Sequence, residues 1–353
     1  MNLQVAEDAR YYGALDGLRA LSVLAVVWNH ARPMGLSAPL ASRGYLGVDV
    51  FFVISGFLIT MLLLREEQRH GNVRLGSFWA RRALRLWPLW YGILITLSAL
   101  FLFVLPNAAM AKPFWRDLPW NATYTSNFIV PGTFLALSWS LALEEQFYLV
   151  WPPIVARLRS AAAPVLLFLG GLSVALHLGL FDGLILEWFG RDGARNLALR
   201  ATLLPFVLGC SLALAPGVLA RLARPALALP WLLVLLGCAA LPDSVAPGQI
   251  RLGAQVAAAG LVAACVGPRE PRWLSVRPLR WIGERAYGVY LLHLFCLQLV
   301  TSFRPWNHGE RDFTAFALVA LVSLGAAGLS YRFIERPFLQ LKDRFRRGTT
   351  GRR

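Results

Sequence analysis

The sequence predicts an all-α integral membrane protein of about ten transmembrane helices, with the N and C termini cytoplasmic, and three observations predict it. Hydrophobic residues make up 57% of the 353 and charged residues 15%, against about 45–50% and about 25% in soluble domains. The apolar residues gather into runs of the roughly 17–25 residues needed to cross a bilayer. The basic excess, a formal net charge of +16, falls in short blocks between alternate runs, as the positive-inside pattern requires. A pI near 10.7 would suit a nucleic-acid binder, but these blocks do not form one polar face, so no nucleic acid is expected. Membrane lipid and an anionic cytoplasmic ligand are the expected partners.

Taken in order, the runs centre on residues 14–31, 47–64, 84–105, 135–155, 163–181, 197–215, 227–242, 251–267, 282–300 and 313–331. The first contains Asp16 and Arg19 and lacks a cleavage site, so it reads as a retained helix and not as a signal peptide. The fourth carries Glu144 and Glu145, and the seventh is short and flanked by proline; either is a candidate for a broken or re-entrant helix. Arg65, Arg69, Arg74, Arg81, Arg82 and Arg85 gather before and at the start of the third run, and Arg269, Arg272, Arg277 and Arg280 precede the ninth, which places both loops inside. Cys210, Cys238, Cys265 and Cys296 each lie in an apolar run without close partners, so neither a disulfide framework nor a metal site is expected.

Ionisable groups within a span are costly and by default face a polar cavity. Arg19 and His30 are eleven residues apart, about 20° beyond three full helical turns, so they share a face and stand about 16 Å apart along the axis. The alternative is that Arg19 is an anchor paired with Asp16 and His30 an interfacial histidine. His293, with Tyr290 one turn before it, is either structural or part of the same polar path. Glu144, between Ser138-Trp139-Ser140 and Gln146-Phe147-Tyr148, could set the protonation of a histidine or pair with an arginine. Asp49 reads either as a polar site residue or as the cap of its span. Arg82 and Arg85 share a helical face at the cytoplasmic mouth of the third run, where guanidinium forks match phosphate oxygens. The plain alternative for Arg81, Arg82 and Arg85 is positive-inside anchoring. His70, His177 and His308 receive no role, His177 because it has no polar neighbours in its run.

These residues resemble the membrane acyltransferase family 3, which includes bacterial O-antigen and peptidoglycan O-acetyltransferases. The likeness rests on Leu15-Asp16-Gly17-Leu18-Arg19-Ala20 with His30, on Gly47 to Ile59, on Arg81 to Pro88, on Ser138-Trp139-Ser140-Leu141 with Glu144 to Tyr148, on Tyr287 to His293, and on Glu335-Arg336-Pro337-Phe338. The resemblance implies ten helices in a bacterial inner membrane, an acetyl-CoA or other acyl-CoA donor on the cytoplasmic side, no metal, and a sugar hydroxyl as acceptor. It implies catalytic roles for Arg19, His30 and Glu144, and donor binding by Arg82 and Arg85 with Arg81 beside them. His293, Tyr290, Asp49 and Tyr148 are candidates for substrate contact or structural polarity. Residues 1–338 would form the polytopic acyltransferase domain and 339–353 a basic cytoplasmic tail. Many members carry a further extracytoplasmic hydrolase-like domain that this sequence is expected to lack, which puts a separate extracytoplasmic transferase among the candidate partners.

The expected reaction has the arginines hold the nucleotide end of the donor while the thin pantetheine arm reaches toward His30, whose pKa suits it to accept a proton near neutral pH. The competing class is a proton-coupled transporter or one for a lipid-linked substrate, because intramembrane Arg, His and Glu also build proton relays. The acceptor stays open among surface polysaccharide, lipid-linked sugar, glycolipid and small molecule. The outer loops Trp115 to Thr133 and Thr301 to Asp312 offer aromatic and polar groups that fit any of these.

Overall fold

The computed structural model describes residues 11–31, 43–129, 132, 134–187, 190, 203–241, 247–303 and 313–347, and among these the regular structure is helical, with no strand. The chain runs through α1 (Gly13–Ala31), α2 (Leu46–His70) and α3 (Leu75–Ala99), which a π-helical turn prolongs over Leu100–Val104. Next come α4 (Ala111–Ala122), α5 (Ser138–Arg157), α6 (Arg159–His177), α7 (Leu203–Leu214) and α8 (Pro216–Leu222). The last group is α9 (Ala228–Ala240), α10 (Pro247–Cys265), α11 (Arg277–Glu284), α12 (Ala286–Phe303) and α13 (Phe313–Ser330). A second π-helical turn, Tyr331–Glu335, joins α13 to α14 (Arg336–Arg347). That last helix runs across residue 338, where the sequence puts the start of the tail. Residues 197–202, 304–312 and 348–353, which carry the start of the sixth run, most of one outer loop with His308, and the tail end, lie outside the described residues.

Each of the ten apolar runs forms a helix among the described residues. Five stretches, Leu46–His70, Leu75–Val104, Arg159–His177, Ala286–Phe303 and Phe313–Leu341, are long and apolar enough to cross a membrane, and α7 with α8 makes a sixth if that bent pair is one span. The difference from the ten expected has local causes. Asp16, Arg19 and His30 in α1, Glu144 and Glu145 in α5, and Arg251 and Gln255 in α10 interrupt otherwise apolar runs. The 13 residues of α9 rise only about 20 Å at 1.5 Å each. Of the two runs named as candidates for a break, the fourth forms the continuous α5 and the seventh the short α9, and a sharp bend falls in addition between α7 and α8, which meet at 99°. Pro216, first residue of α8, lacks the N–H that would continue the hydrogen bonding of α7.

The stretch expected to be an outer loop, Trp115 to Thr133, folds back over its described part. The Trp90 indole donates to the Asn121 carbonyl at 3.2 Å and the Tyr91 hydroxyl to that of Ala122 at 2.9 Å, while the Phe101 and Phe114 rings lie 5.2 Å apart. Thus α4 lies antiparallel along the second half of α3. Its buried Ala111, Phe114, Asp117 and Asn121 recur at helical spacing.

Two helices place the site. Helix α2 packs on α1, α5, α7 and α10, and α1 packs on α11, α12 and α13. A Cβ at Gly283 would collide with the Asp16 carbonyl, and one at Gly47 with that of Ser22. Such small-residue contacts let backbones approach closely within a bilayer, and they hold Arg19 directly over the α11–α12 junction.

Candidate functional site

A cavity of about 90 Å³ lies between α1, α2, α3, α5 and the α11–α12 junction. Its polar wall is built by periodicity. Ser140, Glu144 and Tyr148 stand four residues apart on one face of α5, Arg82 and Arg85 share a face of α3, and Tyr287 and Tyr290 share a face of α12; all seven line the cavity with Arg19 and Ser55.

Glu144 is held by two donors to the same oxygen. Ser55 Oγ donates to its Oε1 at 2.6 Å, and the Tyr148 hydroxyl donates to that atom as well. The Arg82 guanidinium lies 5.3 Å from the Tyr148 ring centre and 5.6 Å from that of Phe78, a cation–π setting that fixes its plane. Among the described residues neither Arg82 nor Arg85 is ion-paired, whereas Arg81 is bound to Glu66 at 3.1 Å and does not line the cavity. The arginine triplet therefore divides: two cations face the cavity and one serves a partly buried ion pair. Arg19 lines the cavity and is at the same time bonded to Asp16 Oδ1 at 2.7 Å.

His30 stands farther along α1 against α12, where its Nδ1 is 3.2 Å from His293 Nε2 and 2.9 Å from the Val26 carbonyl. His293 Nδ1 is 2.7 Å from the Tyr290 carbonyl. A carbonyl only accepts, so in the neutral pair His293 carries its proton on Nδ1 and offers Nε2 as acceptor. His30 must then carry its proton on Nδ1, shared between His293 and Val26. In that tautomer the acceptor nitrogen of His30 is Nε2. One buried histidine, 0% exposed, thereby sets the tautomer of the other. Tyr290 connects this pair to the cavity: its hydroxyl meets Ser140 Oγ at 2.5 Å, and its ring centre is 6.0 Å from that of His293.

Asp49 does not join this group. It is 1% exposed and bonded to the Arg251 guanidinium and to Gln255 Nε2, each at 3.3 Å, which makes it an internal tie between α2 and α10. His177, expected to lack polar neighbours, has its Nδ1 2.7 Å from the Ser173 carbonyl and packs through its own carbonyl against Gly248 at the start of α10. Sequence reasoning passed over Ser55 and Tyr287, whose hydroxyls are unremarkable in an apolar run. The position of Ser55, six residues after Asp49 in a run that also holds Gly56, carried no chemical signal. Gln146 was also unassigned; its amide donates to the Tyr124 carbonyl and to Asn127 Oδ1, both at 2.8 Å, and so ties α5 to the folded-back segment. Among the described residues, no three His, Cys, Asp or Glu side chains are grouped as metal ligands.

The cavity thus gathers Arg19 with two further arginines and a hydrogen-bonded glutamate, and the two histidines stand beyond it at the far side of Tyr290. Residues 12–332 match the acyltransferase domain of acyltransferase family 3. The chain belongs to that family. It is 32% identical over 360 residues to the peptidoglycan O-acetyltransferase OatA of Listeria monocytogenes, covering 93% of this chain and 56% of that protein. It is 33% identical over 366 residues to the putative peptidoglycan O-acetyltransferase YrhL of Bacillus subtilis, covering 93% and 55%. With the O-acetyltransferase OatA of Staphylococcus aureus the identity is 30% over 362 residues, covering 95% and 58%. The acyltransferase chain thus spans about half the length of these curated relatives. No solved structure matches it. With its apolar helices, this family member is a multi-pass membrane protein of bacterial type.

Proposed function

We propose that this acyltransferase moves an acyl group, acetyl in the first instance, from a cytoplasmic acyl-CoA to a hydroxyl of a carbohydrate acceptor at or across the membrane. Ten crossings with both termini inside would put the N-terminal end of α3 at the donor side. Arg82 and Arg85 would take the anionic head of the donor, and Arg19 the polar arm that enters the cavity. His30 Nε2 accepts the proton of the acceptor hydroxyl as that oxygen attacks the thioester carbonyl. The tetrahedral intermediate collapses with loss of the thiolate, and the imidazolium returns its proton to the leaving sulfur. His293 is a positioning residue that keeps Nε2 of His30 unprotonated; Glu144 orders the cavity wall between the two ends. The observation that carries this reading is the pair of cavity-facing arginines, which form no ion pair among the described residues, connected through Ser140 and Tyr290 to the pair of histidines. The names of the relatives favour a peptidoglycan-type sugar as acceptor.

The test is purified protein in liposomes with radiolabelled acetyl-CoA on one face and an N-acetylglucosamine oligomer on the other. Wild type consumes thioester and labels the oligomer; His30→Ala, with an unchanged melting profile, loses about 10²–10⁴-fold in rate, the span of general base catalysis. Solute movement without thioester loss would favour the transporter, and full turnover by His30→Ala would remove the imidazole from the chemistry.

A further inference from the structure

A second concavity, of about 510 Å³, lies where α11, the end of α13, its π-helical turn and the start of α14 meet, and it shares no residue with the cavity above. One end is cationic and aromatic, with Trp281, Arg285, Tyr331, Arg332 and Arg336; the other is apolar, with Leu324, Gly325, Gly328 and Leu329. The volume falls within the ~300–1,000 Å³ usual for small-molecule sites. The two glycines make the apolar half a trough: a Cβ at Gly325 would meet nothing within 4 Å, and one at Gly328 only the Trp281 ring at 3.8 Å.

The cationic end is prearranged. Arg285 lies 4.3 Å from the Trp281 ring centre and 4.6 Å from that of Tyr331, so its guanidinium is fixed between two aromatic faces, and its buried Nε has no partner. Its carboxylate neighbour is Glu284, 3.4 Å away and itself 43% exposed. Arg332 and Arg336 form no ion pair among the described residues. Across the π-helical turn the one acidic residue, Glu335, points inward, 5% exposed and bonded to Ser330 Oγ at 3.1 Å, while Arg332 and Arg336 on either side of it are exposed. A π-helical turn often marks a functional position, and here it separates the carboxylate from the arginines. The trough lies along the last turns of a stretch apolar enough to span a membrane, Phe313–Leu341, with tryptophan and arginines gathered as at a bilayer interface.

We infer that this trough binds one anionic phospholipid of the surrounding bilayer, with its phosphate on Arg285, Arg332 and Arg336 and one acyl chain along Gly325 and Gly328. Charge complementarity selects the head, since planar guanidinium forks match phosphate oxygens, and the open apolar half accommodates a hydrocarbon chain, which a soluble nucleotide lacks.

Native mass spectrometry of the full chain, delipidated in detergent and titrated separately with phosphatidylglycerol, phosphatidylcholine and adenosine 3′,5′-bisphosphate, tests this. Wild type retains one phosphatidylglycerol and neither of the other probes. Arg332→Gln with Arg336→Gln weakens that retention about 25-fold, at about fivefold for each juxtamembrane cation. Gly325→Leu, which fills the trough and leaves every guanidinium in place, abolishes it, and Arg277→Gln, outside the trough, leaves it unchanged. Equal retention of phosphatidylcholine, unaltered phosphatidylglycerol binding in folded variants, or the bisphosphate displacing the lipid would overturn the inference.

Discussion

Ser55 and Tyr148 both donate to Oε1 of Glu144, which makes that oxygen a sensitive place to perturb the site. A hydrogen bond to a charged group contributes about 1.5–3 kcal/mol. At about 1.36 kcal/mol per decade of rate, Ser55→Ala or Tyr148→Phe should each lower kcat about 10- to 150-fold if the placement of the carboxylate matters to the transition state. Because the two donors share one acceptor atom, the losses should not add: the double variant should deviate from the sum by about 0.5–3 kcal/mol. Tyr148→Phe keeps the ring that faces the Arg82 guanidinium at 5.3 Å, so its KM for donor should stay near wild type while kcat falls. Tyr148→Leu removes ring and hydroxyl and should raise KM as well. The assay is initial-rate thioester consumption with acylated acceptor counted in parallel. Rates within about twofold of wild type in both single variants and the double variant would refute a part for Glu144 in transition-state stabilisation.

Two further outcomes follow from the packing. Asp49→Asn takes the Asp49 charge away from the largely buried Arg251 guanidinium and should cost up to about 3–5 kcal/mol of stability, read by thermal unfolding in detergent, with activity per folded molecule close to wild type; lost activity at an unchanged melting temperature would instead place Asp49 in the chemistry. At the crossing of α2 and α7, a Cβ on Gly209 would collide with the Val53 carbonyl, so Gly209→Ala should destabilise by about 1–3 kcal/mol. An unshifted melting curve would mean that the two helices part at no cost.

How much of this could be read from the chain depends on which physical signal each feature leaves. Apolar runs announce helices, and all ten predicted runs carry one among the described residues. Helical spacing announces shared faces, so Arg82 with Arg85, and Glu144 with Tyr148, converge on one cavity. Partner choice leaves no such trace. Nothing local distinguishes Arg81, bound to Glu66, from Arg82 one residue later, nor shows that Asp49 meets Arg251 some two hundred residues on. The same holds for α4, whose Trp- and Pro-rich sequence resembles an exposed loop until Trp90 and Tyr91 give its carbonyls donors. The tautomer of His30 depends on a hydrogen bond between α1 and α12, and no one-dimensional pattern records it.

The claim that matters most is that a phosphate-bearing donor is held by the two cavity-facing arginines. Equilibrium binding of labelled acetyl-CoA to the protein in nanodiscs measures it directly, comparing Arg81→Gln, Arg82→Gln and Arg85→Gln. Affinity should fall about tenfold or more for Arg82→Gln and for Arg85→Gln, the loss of one charge-assisted contact each, and should hold for Arg81→Gln. Equal binding by all three variants, or a loss confined to Arg81→Gln, would contradict the account.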